Sequence, residues 1–412
     1  MTTSPTALRR VLLYSHDTFG LGHLRRNLAI AQRLLESRAG LQVVLMTGSP
    51  VAERFPMPRG LTVVGLPAVV KVGAERYRPR DERFDIDLVR RARSAVMVDA
   101  ATRLRPDVFL VDHAPQGMKG ELLPVFDALR RSSPATRIVL GLRDVLDDPM
   151  RVRATWADQD VYRTLASAFD RIVVYGSEDL FDVVEAYGLS EAVSSQVTYA
   201  GYICRPAKGQ VPSATSATSA GYVLGTAGGG GDGIEVLSAT LAASASLGVP
   251  SRVVTGPLMS ATDRAALERQ ARRVGGATLV EFVDDLSDSI ARAGAVVTMG
   301  GYNTLCELVS SGVPTVVVPR THPRREQAIR AELFERRGAV SVVPAGAALE
   351  SRLRAGVAAA LAAGARRGPC RIDLGGLDRL DEVVEAEARS SREGAQRRVG
   401  STPALEQVAV RL

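Results

Sequence analysis

The chain has 412 residues, of which 46% are hydrophobic and 24% are charged, a composition that is ordinary for a globular protein of two or three domains. Its three cysteines are far apart and odd in number, which excludes a disulfide framework and predicts a reducing, cytoplasmic location. Residues 1–9 lack the apolar core of a signal peptide, and no apolar run approaches the ~20 residues that span a bilayer.

The formal net charge of +7 comes almost entirely from arginine, since lysine occurs only at positions 71, 119 and 208. The arginines are scattered among acidic residues, so we expect a solvated surface and no nucleic-acid partner. Residues 76–93 are an exception, because their arginines are interleaved with apolar side chains, a mixture that suits an anionic membrane surface. Those apolar side chains are Phe84, Ile86, Leu88 and Val89.

In the first half of the chain, short apolar runs alternate with helical patterns; Leu24, Leu28 and Ala31, for example, fall on one helix face. Strands that alternate with helices form a parallel sheet covered on both faces, so we predict one Rossmann-like α/β domain over residues 1–203. Its predicted strands are residues 10–15, 41–47, 61–66, 107–111, 137–142 and 171–175, with a helical region over about 85–105.

Residues 204–220 contain two prolines and a Ser/Ala/Thr run, which predicts a linker. A second strand–helix series follows, so we predict a second Rossmann-like domain over residues 221–388, facing the first across a cleft. Residues 389–412 are charged and lack a long apolar face, and we expect a loosely ordered tail. The predicted strands of the second domain are residues 222–226, 251–255, 278–282, 295–299, 315–318 and 340–343.

The stretch from residue 299 to residue 331 carries the strongest chemical pattern. The apolar run before it delivers Gly300 and Gly301 to the start of a helix, where free backbone N–H groups form a phosphate site. Glu307, a turn later, suits a sugar diol, and Glu326 with Gln327 offers further sugar-type hydrogen-bonding groups. These residues predict a nucleotide-sugar clamp. An alternative is that Thr304-x-x-Glu307 is a capping box that only satisfies backbone amides.

A glycine run follows the first strand of the second domain. Its spacing formally matches a dinucleotide fingerprint, but the next predicted strand ends at Thr255-Gly256 without the acid that such a site needs. An NAD-dependent dehydrogenase is therefore excluded. We interpret Gly228, Gly229 and Gly230 as backbone that closes over a diphosphate or an acceptor, with a permissive turn as the alternative.

Histidines at strand ends indicate a reaction centre in the first domain. All four, His16, His23, His113 and His322, lie in predicted loops near strand ends. In a doubly wound sheet the first and fourth strands are neighbours at the point where ligands bind. We therefore expect the turn that contains His16, Asp17 and His23 to meet Asp112 and His113 at the end of the fourth strand.

A metal hydrolase is the alternative for these Asp and His residues, but no His-Glu-x-x-His occurs, and we expect no metal site. Asp85-x-Asp87 and Asp158-x-Asp160 match a metal-binding pattern, yet both lie in predicted helical stretches away from strand ends. The sequence also contains neither a Gly-x-Ser-x-Gly nucleophile elbow nor a Gly-Lys-Ser/Thr phosphate loop, so two further enzyme classes are excluded.

Taken in order, residues 282–286, Gly300-Gly301, Glu307, Pro319 and Glu326-Gln327 resemble the donor-binding half of the MurG-like enzymes of glycosyltransferase family 28. The resemblance is strongest over residues 277–340 and weaker over 8–35. It implies the GT-B fold and an inverting, metal-independent transfer of a hexosyl or N-acetylhexosaminyl group from a UDP-sugar to an acceptor hydroxyl. It implies no cofactor, since the UDP-sugar is a substrate.

The resemblance also implies roles for individual residues. His23 is the general base for the acceptor hydroxyl, and its ordinary pKa suits that role near neutral pH. Asp112 or Asp17 orients His23, while Gly22 and His113 lie on the acceptor side. A second glycine loop expected after the fourth strand is replaced here by residues 112–117, which leaves the acceptor open. The implied donor-binding residues are Phe282, Val283 and Leu286 for the base, Gly300, Gly301 and Thr304 near the diphosphate, Glu307 for the ribose, and Glu326 and Gln327 for the sugar.

Two other functions fit the same predicted fold. One is a nucleotide-sugar epimerase or hydrolase, and the other is a protein that binds a nucleotide sugar without turnover. The expected partners are a nucleotide-sugar donor and a small-molecule or lipid-linked acceptor, with peripheral contact at the inner face of a membrane.

Overall fold

The computed structural model describes residues 8–16, 22–73, 76–205, 221–283, 285–364 and 372–400. Two parallel β-sheets organise this part of the chain, one in each half. The first sheet has seven strands and the second has six, and helices connect most successive strands of each sheet. The predicted fold class, two doubly wound α/β domains, is therefore confirmed.

In the first sheet, the chain starts in the middle, moves to one edge, and then returns to build the other edge. The strand order is β3-β2-β1-β6-β7-β8-β9, and every neighbouring pair is parallel. The elements are β1 (Arg10–Tyr14), α1 (Gly22–Ser37), β2 (Gln42–Thr47), β3 (Leu61–Gly65), β4 (Val69–Gly73), β5 (Arg76–Pro79), α2 (Ile86–Leu104), β6 (Val108–Asp112), α3 (Leu123–Ser132), β7 (Arg137–Arg143), α4 (Pro149–Asp158), α5 (Val161–Ala168), β8 (Arg171–Tyr175), α6 (Val183–Tyr187), α7 (Glu191–Ser194) and β9 (Val197–Tyr199), with short 3₁₀ turns at Ala52–Arg54 and Met118–Gly120.

The second sheet repeats this winding in the order β12-β11-β10-β13-β14-β15, again with parallel neighbours. The elements are β10 (Tyr222–Thr226), α8 (Ile234–Ser246), β11 (Ser251–Val254), α9 (Ala261–Val274), β12 (Ala277–Val280), α10 (Ser287–Ala291), β13 (Ala293–Thr298), α11 (Tyr302–Ser311), β14 (Thr315–Val317), α12 (Glu326–Arg336), β15 (Ser341–Val342), α13 (Leu349–Ala362) and α14 (Gly376–Gly400).

The central strands are apolar at nearly every position because both faces of each sheet are covered. In β1, Val11 and Leu13 pack into one hydrophobic cluster with residues of α1, while Leu12 and Tyr14 face a second cluster on the opposite side. All four side chains are fully buried. Every predicted strand is present, with ends that differ by a few residues. The antiparallel hairpin β4–β5 and the short strand β9 were not predicted from the sequence.

The last described helix, α14, differs from the prediction. It runs through the boundary predicted at residues 388 and 389, and it packs against the first domain rather than the second. Glu385 accepts a hydrogen bond from Arg38 Nε at 2.9 Å, and Glu387 accepts one from Arg171 Nε at 2.8 Å. An acidic helix face that meets arginines of the first domain thus holds this segment in place. Of the predicted linker, residues 206–220 lie outside the described residues, as do residues 401–412 of the predicted tail.

The predicted membrane-contact segment, residues 76–93, comprises β5, a turn and the first half of α2. Phe84 and Leu88 are exposed, at 48% and 46% of their surface, and the Arg83 guanidinium lies 5.8 Å from the Phe84 ring centre. Ile86 and Val89, by contrast, pack inward against a small cluster. Across the described ranges, no helix combines the length and apolarity that crossing a membrane requires.

Candidate active site

The carboxyl ends of β1 and β6 meet, as we expected for the first and fourth strands of the predicted series. The two strands pair in parallel, with Tyr14 opposite Val111. His23 stands in the first turn of α1, and its Nδ1 lies 2.7 Å from Oδ2 of Asp112, the last residue of β6. The structure therefore brings these two predicted residues into contact. Asp17, the other predicted orienting residue, lies outside the described residues.

Asp112 is fully buried and ionised. Arg26 donates to its Oδ1 from Nε at 3.0 Å and from Nη2 at 2.6 Å. Burial alone would raise the pKa of Asp112, but the charges and hydrogen bonds of Arg26 and His23 hold it well below its usual range. A carboxylate with one oxygen on a guanidinium and the other on an imidazole can hold that imidazole in a single orientation.

The His23 imidazole is neutral at physiological pH. Burial lowers its pKa from 6.5 to about 4, although the carboxylate of Asp112 opposes the shift. We assign the proton to Nδ1, which donates to Asp112, and this leaves Nε2 unprotonated. Nη2 of Arg26 also lies 3.0 Å from Nδ1, but two N–H groups then face each other, so Arg26 hydrogen-bonds Asp112 only.

Three histidine rings form a cluster at this edge of the sheet. The ring of His23 lies 5.5 Å from that of His16 and 4.8 Å from that of His113, centre to centre. His113 adopts a left-handed backbone with φ of 67°, and its N–H donates to Gly141 O at 2.8 Å. Burial, and next the charge of Arg143, lower the pKa of His113 well below 6.5. Its Nδ1 is buried and has no partner among the described residues. His322 lies apart, in an exposed loop.

A buried ion pair between Arg93 and Glu121 is connected to this histidine cluster through Tyr14. Arg93 donates to Glu121 from Nε at 2.6 Å and from Nη2 at 2.9 Å, and both side chains are fully buried. The Tyr14 hydroxyl donates to Glu121 at 2.7 Å and lies 3.3 Å from Nδ1 of His16. The network ties α2 to the end of β1 and so fixes the position of His16.

The start of α11 lies against the start of α1. The chain leaves β13, turns at Gly300 with φ of 79°, and enters α11 at Tyr302. The side-chain amide of Asn303 donates to the carbonyl oxygen of Gly22 at 2.8 Å. The Tyr302 hydroxyl donates to Tyr175 O at 3.0 Å, which further fixes α11 to the first domain. The two helix N-termini therefore face the same cleft, one with His23 and the other with the predicted phosphate site.

Glu307 bonds across the cleft and not to its own helix. Nη2 of Arg25 lies 2.7 Å from Oε1 of Glu307, while Oε2 is buried without a partner among the described residues. The N-cap of α11 is Gly301, and no side chain caps the helix. The capping-box alternative with Thr304 is therefore wrong. The assignment of Glu307 to a ribose stays a prediction, as does the donor-site assignment of Thr304, which is buried.

Glu326 and Gln327 organise the loop between β14 and α12. Oε1 of Glu326 accepts a hydrogen bond from Arg320 Nη2 at 2.8 Å, and Oε1 of Gln327 accepts one from the Arg320 backbone N–H at 3.2 Å. Arg320 also donates to Asp232, next to the glycine run, at 2.9 Å. Oε2 of Glu326 is buried and has no partner among the described residues. Its assignment to the donor sugar, like that of Gln327, stays a prediction.

The glycine run lies at the end of β10, beside the end of β13. Gly230 has φ of 87°, and a Cβ there would lie 2.0 Å from the Thr255 carbonyl oxygen, so close contact with the neighbouring turn requires glycine. Gly228 also has a positive φ, of 62°, whereas Gly229 contacts Leu258. These contacts account for the glycines as a turn. Their predicted role at a diphosphate or acceptor stays a prediction.

The predicted base-binding residues Phe282, Val283 and Leu286 lie between β12 and α10. The Phe282 ring packs edge-on against Phe55 of the first domain, 5.6 Å between centres. Leu286 is buried in a core cluster that Val283 also contacts, and the assignment of these residues to the base stays a prediction. Beside Phe55, a cavity of about 390 Å³ opens against α1, with Arg25 and Arg205 in its wall.

Part of the second domain is similar to a known protein family. Residues 254–367 match the glycosyltransferase family 28 C-terminal domain. This segment of the chain is similar to the C-terminal domain of family 28. This match confirms the resemblance that was strongest over residues 277–340.

A curated relative is the UDP-N-acetylglucosamine--N-acetylmuramyl-(pentapeptide) pyrophosphoryl-undecaprenol N-acetylglucosamine transferase of Vibrio parahaemolyticus serotype O3:K6. It is 30% identical over 116 residues, which are 28% of this chain and 33% of that protein. The chain thus matches about a third of the relative's length.

Solved structures show that the likeness in fold extends over nearly the whole chain. MurG of Acinetobacter baumannii aligns with a TM-score of 0.59 and 13% identity, covering 92% of this chain and 99% of that one. CalG4, the calicheamicin glycosyltransferase, aligns with a TM-score of 0.54 and 16% identity, covering 96% of this chain and 99% of that one. The protein therefore has the GT-B fold.

The family 28 segment contains every predicted donor-binding residue, whereas the His23–Asp112 pair lies outside it. Sequence reasoning missed several residues that join the two halves. Arg330 of α12 donates to Asp144 at 2.7 Å, and both side chains are 1% exposed. Arg143 ends β7 and Asp144 follows it, just as Asp112 ends β6 and His113 follows it, so the rule that strand ends carry ligands would have identified both residues.

The two Asp-x-Asp patterns have local structural roles. Asp85 is the N-cap of α2 and accepts hydrogen bonds from the backbone N–H groups of Asp87 and Leu88. Asp158 ends α4, and Asp160 pairs with Arg163. Within the described part of the chain, no group of three or more His, Cys, Asp or Glu residues is arranged to hold a metal ion.

Proposed function

We propose that the protein is a glycosyltransferase that moves a hexosyl or N-acetylhexosaminyl group from a UDP-sugar to an acceptor hydroxyl, with inversion and without a metal ion. One observation carries this proposal. The hydrogen bond from Asn303 to Gly22 joins the family 28 helix to the helix that bears His23 and its carboxylate partner Asp112. The predicted donor site and the proposed base would thus face each other, and the name of the Vibrio parahaemolyticus relative specifies UDP-N-acetylglucosamine.

The donor would lie along the second domain. The backbone N–H groups at the start of α11, together with the helix dipole, provide positive potential for the diphosphate at Gly300 and Gly301. The partner-free Oε2 atoms of Glu307 and Glu326 can accept hydrogen bonds from the ribose and the sugar hydroxyls, respectively. Each buried acceptor without a partner is an atom that a bound sugar would satisfy.

The acceptor hydroxyl would lose its proton to Nε2 of His23. Its oxygen forms a bond to the anomeric carbon while the bond from that carbon to the phosphate oxygen breaks, so UDP leaves with the electron pair. Attack opposite the leaving group inverts the configuration. Asp112 stabilises the imidazolium that forms. The two negative charges of the donor diphosphate oppose the effect of burial and raise the pKa of His23 from about 4 toward neutrality.

A thermal-shift screen with UDP, dTDP and GDP, each free and as its sugars, tests donor binding, because a ligand that binds the folded state raises the melting temperature. We expect selective stabilisation by UDP and UDP-sugars. Release of UDP in the presence of a cell extract then tests turnover. The anomeric configuration of the product tests inversion, and activity in EDTA tests metal independence.

The same assays distinguish the alternatives. Consumption of a UDP-sugar without acceptor, with free sugar or an epimer as product, would identify a hydrolase or an epimerase. Tight UDP binding without turnover would identify a binding protein. If no nucleotide or nucleotide sugar binds, the proposal is wrong.

We further propose that the acceptor is a small molecule or a lipid-linked one, and that residues 76–93 contact the inner face of the membrane. The exposed Phe84 and Leu88, with the arginines beside them, support this contact.

A further inference from the structure

Arg143, the last residue of β7, lies at the same edge of the sheet as the His23–Asp112 pair. β7 is hydrogen-bonded to β6 on one side and to β8 on the other, with Asp112 opposite Gly141 and Arg143 opposite Tyr175. Nε of Arg143 is buried without a hydrogen-bond partner, and within the described ranges its guanidinium forms no ion pair. The Arg143 side chain is partly buried, and its Nε has lost water without gaining a hydrogen-bond partner in the described part of the chain, which is unusual for a guanidinium.

The neighbouring charges explain why Arg143 remains without a counter-ion. Two other guanidinium groups approach it, but Arg26 is bonded to Asp112 and Arg330 is bonded to Asp144. A third carboxylate, Glu326, acts on Arg143 by its charge but is hydrogen-bonded to Arg320. Burial, and then Arg330 and Arg26, lower the pKa of Arg143 to about 10, so the group still carries its charge at neutral pH. Arg143 is therefore left without an ion pair in the described part of the chain.

His113 adds a second unsatisfied group. Its Nδ1 is buried without a partner in the described part of the chain. His113 directly follows β6 and Arg143 ends the neighbouring strand β7, so the two residues lie at the same edge of the sheet, and the charge of Arg143 contributes to the lowered pKa of His113. The left-handed backbone at His113, with φ of 67°, positions the ring beside that of His23 at 4.8 Å. A charged donor and an imidazole nitrogen without a partner, next to the candidate base, form an anion-binding arrangement.

We propose that Arg143 and His113 bind an anionic group of the acceptor, a phosphate or a carboxylate close to the hydroxyl that His23 deprotonates. This inference rests on the proposed function and names the chemical class of its acceptor. Both residues belong to the first domain, whereas the family 28 match and the helix N-terminus for the donor diphosphate belong to the second.

Inorganic phosphate is the probe, added to protein saturated with UDP so that the donor diphosphate site is filled. Isothermal titration compares the wild type with Arg143→Gln, Arg143→Lys and His113→Asn, the last chosen because Asn tolerates a left-handed backbone. The matched control is Arg103→Gln, since Arg103 is exposed and, among the described residues, forms an ion pair with its helix neighbour Asp99 alone. We expect Arg143→Gln to weaken phosphate binding about tenfold or more, Arg143→Lys to keep part of it, and the control to keep all of it.

Stability gives an independent readout. Because Arg143 has no partner to lose in the described structure, Arg143→Gln should melt at the wild-type temperature or above it. A lower melting temperature would make the residue structural and would contradict the proposal. So would equal phosphate affinity in Arg143→Gln and the control, or a wild type saturated with UDP that binds no phosphate.

Two further outcomes would reassign the anion. An equal loss of UDP affinity in Arg143→Gln would place the donor diphosphate at Arg143. A wild-type preference for UDP-glucuronate over UDP-glucose that Arg143→Gln abolishes would place an anionic donor sugar there. Phosphate binding by a wild type that binds no UDP would instead contradict the proposed function and leave the anion site standing.

Discussion

Arg25 of α1 and Glu307 of α11 form an ion pair across the cleft, with 2.7 Å between Nη2 and Oε1. Both side chains are only 13% exposed, so water screens the pair weakly. Arg25 holds one oxygen of the carboxylate and leaves Oε2 directed to no described group. A nucleoside diphosphate that binds at the start of α11 would therefore meet a carboxylate that is already oriented.

The first prediction concerns this carboxylate. Glu307→Ala should weaken UDP binding by about 1–3 kcal/mol, the range for a lost hydrogen bond to a charged group, because the ribose hydroxyls lose their acceptor. It should weaken the binding of 2′-deoxyuridine diphosphate less. Isothermal titration with both ligands measures the difference, and Glu332→Ala, at an exposed position of α12, is the control. Equal losses for the two ligands would show that Glu307 does not bind the ribose.

The second prediction concerns His23. His23→Ala should lower turnover by about 100- to 10,000-fold, the usual contribution of a general base, and leave UDP affinity nearly unchanged. The affinity is preserved because the predicted donor contacts lie on the second domain. Steady-state kinetics and UDP titration test the two halves of this expectation. A variant that melts like the wild type, binds UDP and still turns over at a near wild-type rate would exclude His23 as the base.

The fold could be predicted from the sequence because strands that are buried on both faces are apolar at nearly every position, and such runs are easy to recognise. β1 and β6 are apolar at nearly every position, and their order in the chain places them side by side. The β4–β5 hairpin was not predicted from the sequence because Lys71, Arg76 and Arg78 interrupt its apolar pattern. The domain of α14 could not be predicted, because its partners in the first domain are far away in the chain.

Some contacts of the candidate site could likewise be predicted from the sequence, and others could not. The contact between His23 and Asp112 follows from strand order, which local patterns predict. The ion pairs of Arg25 with Glu307 and of Arg330 with Asp144 depend on how the two domains face each other, and no local pattern carries that information. Arg143 was overlooked because carboxylates and histidines at strand ends were weighed as candidate ligands, and a cation in the same place was not.

The third prediction concerns the membrane. The wild type should co-sediment with phosphatidylglycerol-containing vesicles at low salt, because exposed apolar side chains among arginines bind anionic surfaces. Salt should weaken this binding by screening the charges. Phe84→Ser with Leu88→Ser should reduce it strongly, whereas Met150→Ser, at a residue 70% exposed elsewhere on the first domain, should not. Failure of the wild type to bind at low salt would rule out this contact.

The fourth prediction is that the free energy of unfolding decreases as the pH is lowered, because His23 titrates. Its pKa is about 4 in the folded protein against an ordinary value of 6.5. Above pH 6.5 the His23 ring is neutral in both the folded and the unfolded state, so its titration takes nothing from the stability. As the pH falls from 6.5 toward 4, the unfolded chain binds a proton that the folded protein does not, so stability is lost across this window. The linkage relation gives a loss of about 2 kcal/mol by pH 5.

Urea unfolding measures this loss, with the fluorescence of Trp156, the single and buried tryptophan, as the signal. His23→Gln removes the titrating group, so the wild type should lose about 2 kcal/mol more than this variant between pH 7.5 and pH 5. His322→Gln, in an exposed loop, should follow the wild type. His113 adds a loss of the same sign to all three proteins, because burial also lowers its pKa, and it cancels in the comparison. Equal losses in the wild type and His23→Gln would show that His23 titrates normally, and its neutral, buried state beside Asp112 would be wrong.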